Sequence, residues 1–226
     1  MIGAMASPTP PVVDFAEVGV VWEGIVMLVE ATGSVPAGSA LAITGPNGSG
    51  KTTLLRVLAA RIPATSGRVR VAGRAPDDRD RLFRRAVAAL IGPPQTARDL
   101  TVAEHLRFIA ATWGGSVREA ARTADRLLDE FDIGVLAQRY PHELSSGQSQ
   151  LVALALTLAR PSSVLLLDEP EQRLDADRLG LVIAAVRRRR DEGAVVVLAS
   201  HSPRLVQEVA DHELALLGEP EEGARP

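Results

Sequence analysis

At 226 residues, with 46% hydrophobic and 23% charged side chains, the chain can bury one substantial core with a small lobe attached. A formal net charge of −3 argues against a general nucleic-acid or anionic-membrane binder, which carries a positive excess. Cysteine is absent, which excludes disulfides and thiolate metal sites and is compatible with a reducing cytosol.

Residues 1–11 lack a basic segment followed by an apolar core, so they do not read as a secretory signal; their Ala, Ser and Pro content predicts a disordered lead. Val12 to Trp22 and Ile25 to Val35 read as an opening β region. Ser39 to Thr44 is a short buried strand that runs into a glycine loop. Beyond the loop, Leu54, Leu55, Leu58 and Ile62 recur at helical spacing, and Pro63 is expected to end that helix. Gly67 to Ala72 and Ala86 to Ile91 are two further strands.

The texture changes over about 95–145, which reads as an inserted helical lobe. Thr101 and Glu104 have capping-box spacing, and a second helix is predicted from about Val117 to Phe131. Leu151, Leu154, Ala155 and Leu158 mark a helix beginning near Ser145. Ser163 to Asp168 is an uninterrupted apolar strand of the kind buried on both faces. Leu179, Val182, Ile183 and Val186 give the next helix, closed by Gly193, and Ala194 to Ala199 reads as the last core strand. Residues 218–226 are expected to be a disordered tail. No apolar run approaches the roughly 20 residues that span a bilayer. Alternating strands and helices predict an α/β fold with a largely parallel sheet.

The glycine loop carries the first chemistry. Gly45, Pro46, Asn47, Gly48, Ser49, Gly50, Lys51 and Thr52, followed by Thr53, fit the phosphate-loop pattern between a strand and a helix. Glycines let successive N–H groups turn inward as an anion nest, and the helix adds its positive end. Lys51 is the only lysine among 25 basic residues. A compact ammonium suits a narrow loop around phosphate better than a planar guanidinium. One such contact is on the order of 4 kcal/mol before desolvation. The Thr52 hydroxyl is the expected Mg²⁺ ligand.

The strand ending Asp168-Glu169-Pro170 places two carboxylates where parallel sheets collect ligands. Asp168 is set to hold Mg²⁺, directly or through water, and Glu169 to polarise an attacking water. Leu144-Ser145-Ser146-Gly147-Gln148 opens a helix whose first amides and hydroxyls make an anion site, or equally a plain N-cap.

Here the residues resemble a known family. The Ser145 to Gln148 segment is similar to the signature of ABC ATPases, usually written LSGGQ, and the Asp-Glu strand follows at the usual short distance. The resemblance spans about residues 12–217. It implies an α/β P-loop NTPase core with an N-terminal antiparallel β region and a small helical lobe. It further implies that Trp22 stacks on adenine, although a core position was the alternative. Gln95 resembles the glutamine that binds Mg²⁺ or water and touches the transport domain. Asp175 resembles the aspartate that communicates across a dimer, and His201 the histidine that senses the γ-phosphate. His105, His142 and His212 match no such position and are expected to be structural or at the surface.

The implied activity is ATP hydrolysis, with ATP and Mg²⁺ bound between the phosphate loop of one subunit and the signature of another. The implied partners are a second ATP-binding subunit and a separate membrane-spanning subunit, which would hold the chain at the inner face of the plasma membrane. The stretch from Leu100 to Ile109 is similar to export-type subunits. Two alternatives stand beside this: a non-transport ABC ATPase acting on ribosomes or nucleic acid, and a regulatory module that binds ATP without turnover. Ser146 replaces the middle glycine of the signature, and Glu171-Gln172-Arg173 stands where small residues are commoner. The run Arg187 to Arg190, at a helix C-terminus, is expected to be a solvated end rather than a nucleic-acid patch.

Overall fold

The computed structural model describes residues 12–217, in which eight strands divide between two sheets. The expected lead at 1–11 and tail at 218–226 lie outside the described residues. The first sheet is antiparallel, in the order β2-β1-β4, from β1 (Val13–Trp22), β2 (Ile25–Val35) and β4 (Ser66–Val71). Strand β1 starts with inward Val13 and Phe15, and its register then shifts around Glu17, which has φ 55°. That bulge returns Val18 and Val20 to the buried side.

The second sheet is wholly parallel, in the order β5-β6-β7-β3-β8. Its strands are β3 (Ala40–Thr44), β5 (Val87–Leu90), β6 (Val164–Asp168), β7 (Val195–Ala199) and β8 (His212–Ala215). Successive side chains point to opposite faces, so each central strand feeds two cores. Ala40, Ala42, Leu165, Leu167, Val196 and Leu198 pack on one side with α5 (Ser146–Leu158) and α6 (Ala176–Asp191). Leu41, Ile43, Leu166 and Val197 face the other, with α1 (Lys51–Leu58) and the antiparallel sheet. Double-sided burial is why β6 and β7 read as unbroken apolar runs.

The lobe consists of α3 (Val102–Thr112) and α4 (Val117–Glu130), each opened by a capping box, Thr101 with Glu104 and Ser116 with Glu119. Both helices pack on α5 through Leu106, Ala124 and Leu127.

Several sequence expectations need correction. Helix α1 stops at Leu58 rather than near Ile62. Ala60 adopts φ 58°, and bonds from Ala60 N to Val57 O (3.0 Å) and Arg61 N to Arg56 O (2.8 Å) close it as a Schellman motif. A helix α2 (Arg81–Ala86) precedes β5, capped by Asp80. Strand β7 is not the last: α7 (Pro203–Val209) returns the chain to β8, which pairs with β3. Nor is Arg187 to Arg190 a solvated end. Arg188 grips Glu130 of α4 with two bonds of 2.9 and 3.0 Å, and Arg189 donates to Ser162 O at 2.8 Å. Arg190 donates to Val209 O at 3.0 Å, so the run ties α6 to its neighbours.

Candidate functional site

Strands β3, β6 and β7 run parallel, and their carboxyl ends deliver the glycine loop, the Asp-Glu pair and His201 to one edge of the sheet. The loop between β3 and α1 depends on two glycines. Gly45 has φ 136°, and a Cβ there would strike the Leu216 carbonyl. Gly50 has φ 95°, and a Cβ would come within 2.7 Å of Leu28 Cδ1 and 2.9 Å of Met27 O. Side chains are therefore excluded where main chain must approach main chain.

Lys51 is only 6% exposed. Its Nζ donates to Gly45 O at 2.9 Å and Pro46 O at 2.8 Å, folding the ammonium across its own loop. Ser49 Oγ is buried with no hydrogen-bond partner among the described residues. A buried ammonium held only by carbonyls and an orphaned hydroxyl fit a phosphate, which would satisfy both.

Thr52 Oγ1 donates to Asp168 Oδ1 at 3.1 Å, so a hydroxyl and a carboxylate converge, and among the described residues no cluster of three or more His, Cys, Asp or Glu is placed to hold a metal. That oxygen set suits Mg²⁺, which takes one or two protein oxygens together with substrate phosphate. Burial pushes the Asp168 carboxyl above its ordinary value; Glu169 adds to this, while the Thr52 bond and the Arg56 and Lys51 charges oppose it.

Glu169 lies at φ 46°, and Arg173 four residues later at φ 65°. Two non-glycine residues in the left-handed region within one short turn cost on the order of 1–3 kcal/mol each. The turn uses that conformation to aim its side chains. His201 Nε2 stands 3.6 Å from Glu169 Oε1, and Gln172 Nε2 donates to Glu169 Oε2 at 3.0 Å. Gln150 Nε2 reaches from α5 to Glu169 O and Pro170 O, both at 3.2 Å. Gln150, Glu171 and Gln172 were not picked out from sequence as site residues. Gln172 gave a weak signal, lying three residues from Glu169.

A cleft of about 420 Å³ joins Thr52, Asp168 and Glu169 to Ser146 and the Gly92–Pro94 segment. Gln95 follows that segment and is exposed; the cleft walls are Gly92, Pro93 and Pro94 instead. A second recess of about 390 Å³ is lined by Asn47, Gly48, Lys51, Thr53, Val26 and Met27. Trp22 is 66% exposed near the tip of the first hairpin, which rules out the core alternative, and the recess wall comes from β2.

At the start of α5, Ser145 Oγ accepts from Gln148 N and Gln148 Oε1 accepts from Ser145 N at 2.9 Å. The glutamine side chain is committed to its own helix. Ser145 and Ser146 are exposed, whereas Gly147 is buried: a Cβ there would come within 2.8 Å of Arg173 O. Asp175 caps α6 by accepting from Arg178 N at 2.9 Å. His105 is structural, as expected. Its Nε2 accepts from Ala97 N at 2.9 Å, which leaves Nδ1 as the donor to Thr101 O at 2.9 Å. His142 stacks on Tyr140, and His212 is exposed on β8.

The family model described as ABC transporter matches residues 28–172. The cytochrome c biogenesis ATP-binding export protein CcmA of Paracoccus denitrificans is 39% identical over 165 residues, covering 73% of this chain and 70% of that protein. A probable anion import ATP-binding protein of Haloferax volcanii is 34% identical over 220 residues, covering 88% and 73% respectively. Among solved structures, an ATP-binding subunit of an ABC transporter superposes with a TM-score of 0.82 at 24% identity, over 91% of this chain and 85% of that one. A cassette solved as a dimer in a post-hydrolysis state with ADP and Pi gives 0.80 at 24% identity, over 95% and 99%. The likeness to solved structures is one of fold.

Proposed function

This chain belongs to the ABC transporter ATP-binding family of ATPases, and from that premise we propose that it hydrolyses MgATP within a two-subunit sandwich to drive a separate membrane-spanning partner. The observation that carries the reading is the 3.6 Å approach of His201 to Glu169, across from the Thr52–Asp168 contact, beside a loop whose lysine is buried.

ATP entering the loop exchanges the Gly45 and Pro46 carbonyls for β- and γ-phosphate oxygens on the Lys51 ammonium. Thr52 and Asp168 would hold Mg²⁺, with the exposed Gln95 as a further oxygen ligand; bound there, the ion would supply neutralisation of phosphate charge. Glu169 orients a water and takes its proton as the water oxygen bonds to the γ-phosphorus. The bond to the bridging oxygen breaks, leaving ADP and phosphate. His201 donates to the γ-phosphate, so catalysis is mainly positioning and charge stabilisation.

The sandwich is supported by α5, a thirteen-residue helix whose exposed Ser145 and Ser146 leave its positive end open to a phosphate held by another copy. Trp22, exposed near the first hairpin's tip, is proposed to stack on the base, and Asp175, exposed at the start of α6, to face the second subunit. Among the described residues no helix is long and apolar enough to cross a membrane, which fits attachment through a partner. The similar proteins include both an export and an import protein, so the likeness favours neither direction of transport.

Phosphate release and molar mass, measured with and without MgATP in the unaltered chain and in Glu169→Gln, test this. The variant should lose turnover by roughly a hundredfold or more while accumulating as an ATP-dependent dimer. Undiminished release would overturn the role of Glu169, and a monomer at millimolar ATP in both proteins would overturn the sandwich.

A further inference from the structure

Strands β6 and β7 are neighbours, paired Asp168 with Ala199, and beyond that pair their chains part. One leads into the Glu169 turn and the other into the loop that carries His201. The side chain of Glu171 spans the gap. Its Oε1 accepts from Ser200 Oγ at 2.6 Å, from His201 N at 2.8 Å and from Ser202 N at 3.2 Å. Ser202 N is shared with Ser200 Oγ at 2.9 Å, so the two amides and the hydroxyl form a small anion nest filled by this one oxygen. The other oxygen, Oε2, is buried without a hydrogen-bond partner among the described residues.

We propose that Glu171 is a positioning residue for hydrolysis: it staples the His201 loop to the Glu169 turn and so sets the distance between the two groups. The inference rests on the reading of Glu169 and His201 given above. The chain of fixation is short. Gln172 N donates to Glu169 O at 3.0 Å and Leu174 N to Glu171 O at 3.2 Å, so the turn is internally braced. The His201 amide is itself one of the three donors, which pins the Cα from which the imidazole reaches Glu169. All three bonds are lost together when the carboxylate goes, because they end on one atom. A carboxylate acceptor makes each of them charge-assisted, which is stronger than a neutral bond. Length matters more than charge, since a shorter acid in the same turn could not bridge the two strand ends, whereas an uncharged oxygen of the same reach still accepts all three bonds.

The test combines steady-state hydrolysis with amide hydrogen exchange on the full chain. Glu171→Ala should lower kcat by about ten- to a hundredfold, as a misplaced catalytic group does, while the KM for ATP moves little. In Glu171→Gln an amide oxygen can occupy the nest, and kcat should stay within about threefold of the unaltered protein. Glu171→Asp, which keeps the charge but shortens the reach, should resemble the alanine variant and replaces it if alanine does not fold. In a His201→Ala background, Glu171→Ala should cost nothing further, since the two act as one unit. Exchange at the His201 and Ser202 amides should rise about tenfold in Glu171→Ala, with the β7 core unchanged.

Unchanged kcat in both Glu171→Ala and Glu171→Asp, or an equal loss with and without His201, overturns the inference. Should the unaltered chain release no phosphate, the ATPase reading fails, and amide exchange alone then decides whether Glu171 fastens the loop. Unchanged exchange at His201 and Ser202 overturns it in that case too.

Discussion

The phosphate loop and the turn after β6 meet at one edge of the sheet but are built on different principles. From Gly45 to Thr52 the working surface is backbone. Two glycines that admit no Cβ shape it, and the one side chain that matters most, Lys51, folds onto carbonyls of the same loop. From Glu169 to Asp175 the working parts are side chains. Glu171 bonds residues 29 to 31 positions away, and Gln150 reaches in from a helix 19 and 20 positions earlier. A backbone site is written in consecutive residues, whereas a side-chain network is written in pairs that only folding brings together.

The contrast breaks most sharply at Lys51. Lys51→Arg keeps the charge, but a planar fork does not fit the pocket between the Gly45 and Pro46 carbonyls. Its kcat/KM for ATP should fall by about a hundred- to a thousandfold, with binding of a fluorescent ATP analogue weakened in parallel. In the turn, single changes should instead spare binding. Gln172→Ala frees Glu169 Oε2 and should lower kcat by about three- to tenfold with the ATP dissociation constant unchanged. A binding defect in Gln172→Ala would erase the distinction between the two regions.

The same distinction explains what could be read in advance. Strands β6 and β7 were legible because burial on both faces leaves no polar residue to obscure them. The capping box at Thr101 and the N-cap at Ser145 have a local spacing and were anticipated at the right residues, although the reciprocal bond from Gln148 that makes Ser145 a capping box as well was not. Helices α2 and α7, of six and seven residues, and the four-residue β8 are too short for any period to emerge. The end of α1 was missed because an alanine, not a glycine, takes the left-handed position of its Schellman turn. In the site, Lys51, Thr52 and Asp168 stand out in contiguous motifs, and the fold brings Thr52 within 3.1 Å of Asp168, whereas the bonds from Lys51 to the Gly45 and Pro46 carbonyls carry no sequence signal. The roles of Gln150, Glu171 and Gln172 were not legible either, because nothing in a glutamine or glutamate signals which distant donor or acceptor it will meet.

A change outside both regions gives a baseline. Arg188 holds α4 to α6 through two bonds to Glu130, on a side chain about one-third exposed. Arg188→Ala should destabilise the chain by about 1–2 kcal/mol in urea unfolding, discounted for partial solvent screening, and leave kcat unchanged at 25 °C. Adding Glu130→Ala should cost less than the two single changes summed, because each removes the same pair. If Arg188→Ala lowered kcat as strongly as Gln172→Ala, side-chain networks throughout the fold would matter equally. The turn after β6 would then hold no special place.

The smallest expected effect falls on Asp168, where the two regions touch through the 3.1 Å bond to Thr52. Burial holds this carboxyl above the value it has in an unfolded chain, so the folded state binds its proton more tightly than the unfolded state does. Its ionised form therefore weighs against folding. The penalty is absent below the unfolded value, grows through the interval up to the raised folded value, and is complete above it. At neutral pH without divalent ions, Asp168→Asn removes that penalty and keeps an acceptor for Thr52, so its melting temperature should rise slightly above that of the unaltered protein. The gain should vanish below the pH at which Asp168 is already protonated. Adding Mg²⁺ with ATP should reverse the order, stabilising the unaltered chain and not the variant, because a cation beside the carboxylate favours the charged form that burial opposes. A residue that weakens the empty protein and strengthens the loaded one is placed for its ligand rather than for the fold. Equal melting temperatures for the two proteins in every condition would return Asp168 to the role of an ordinary strand end.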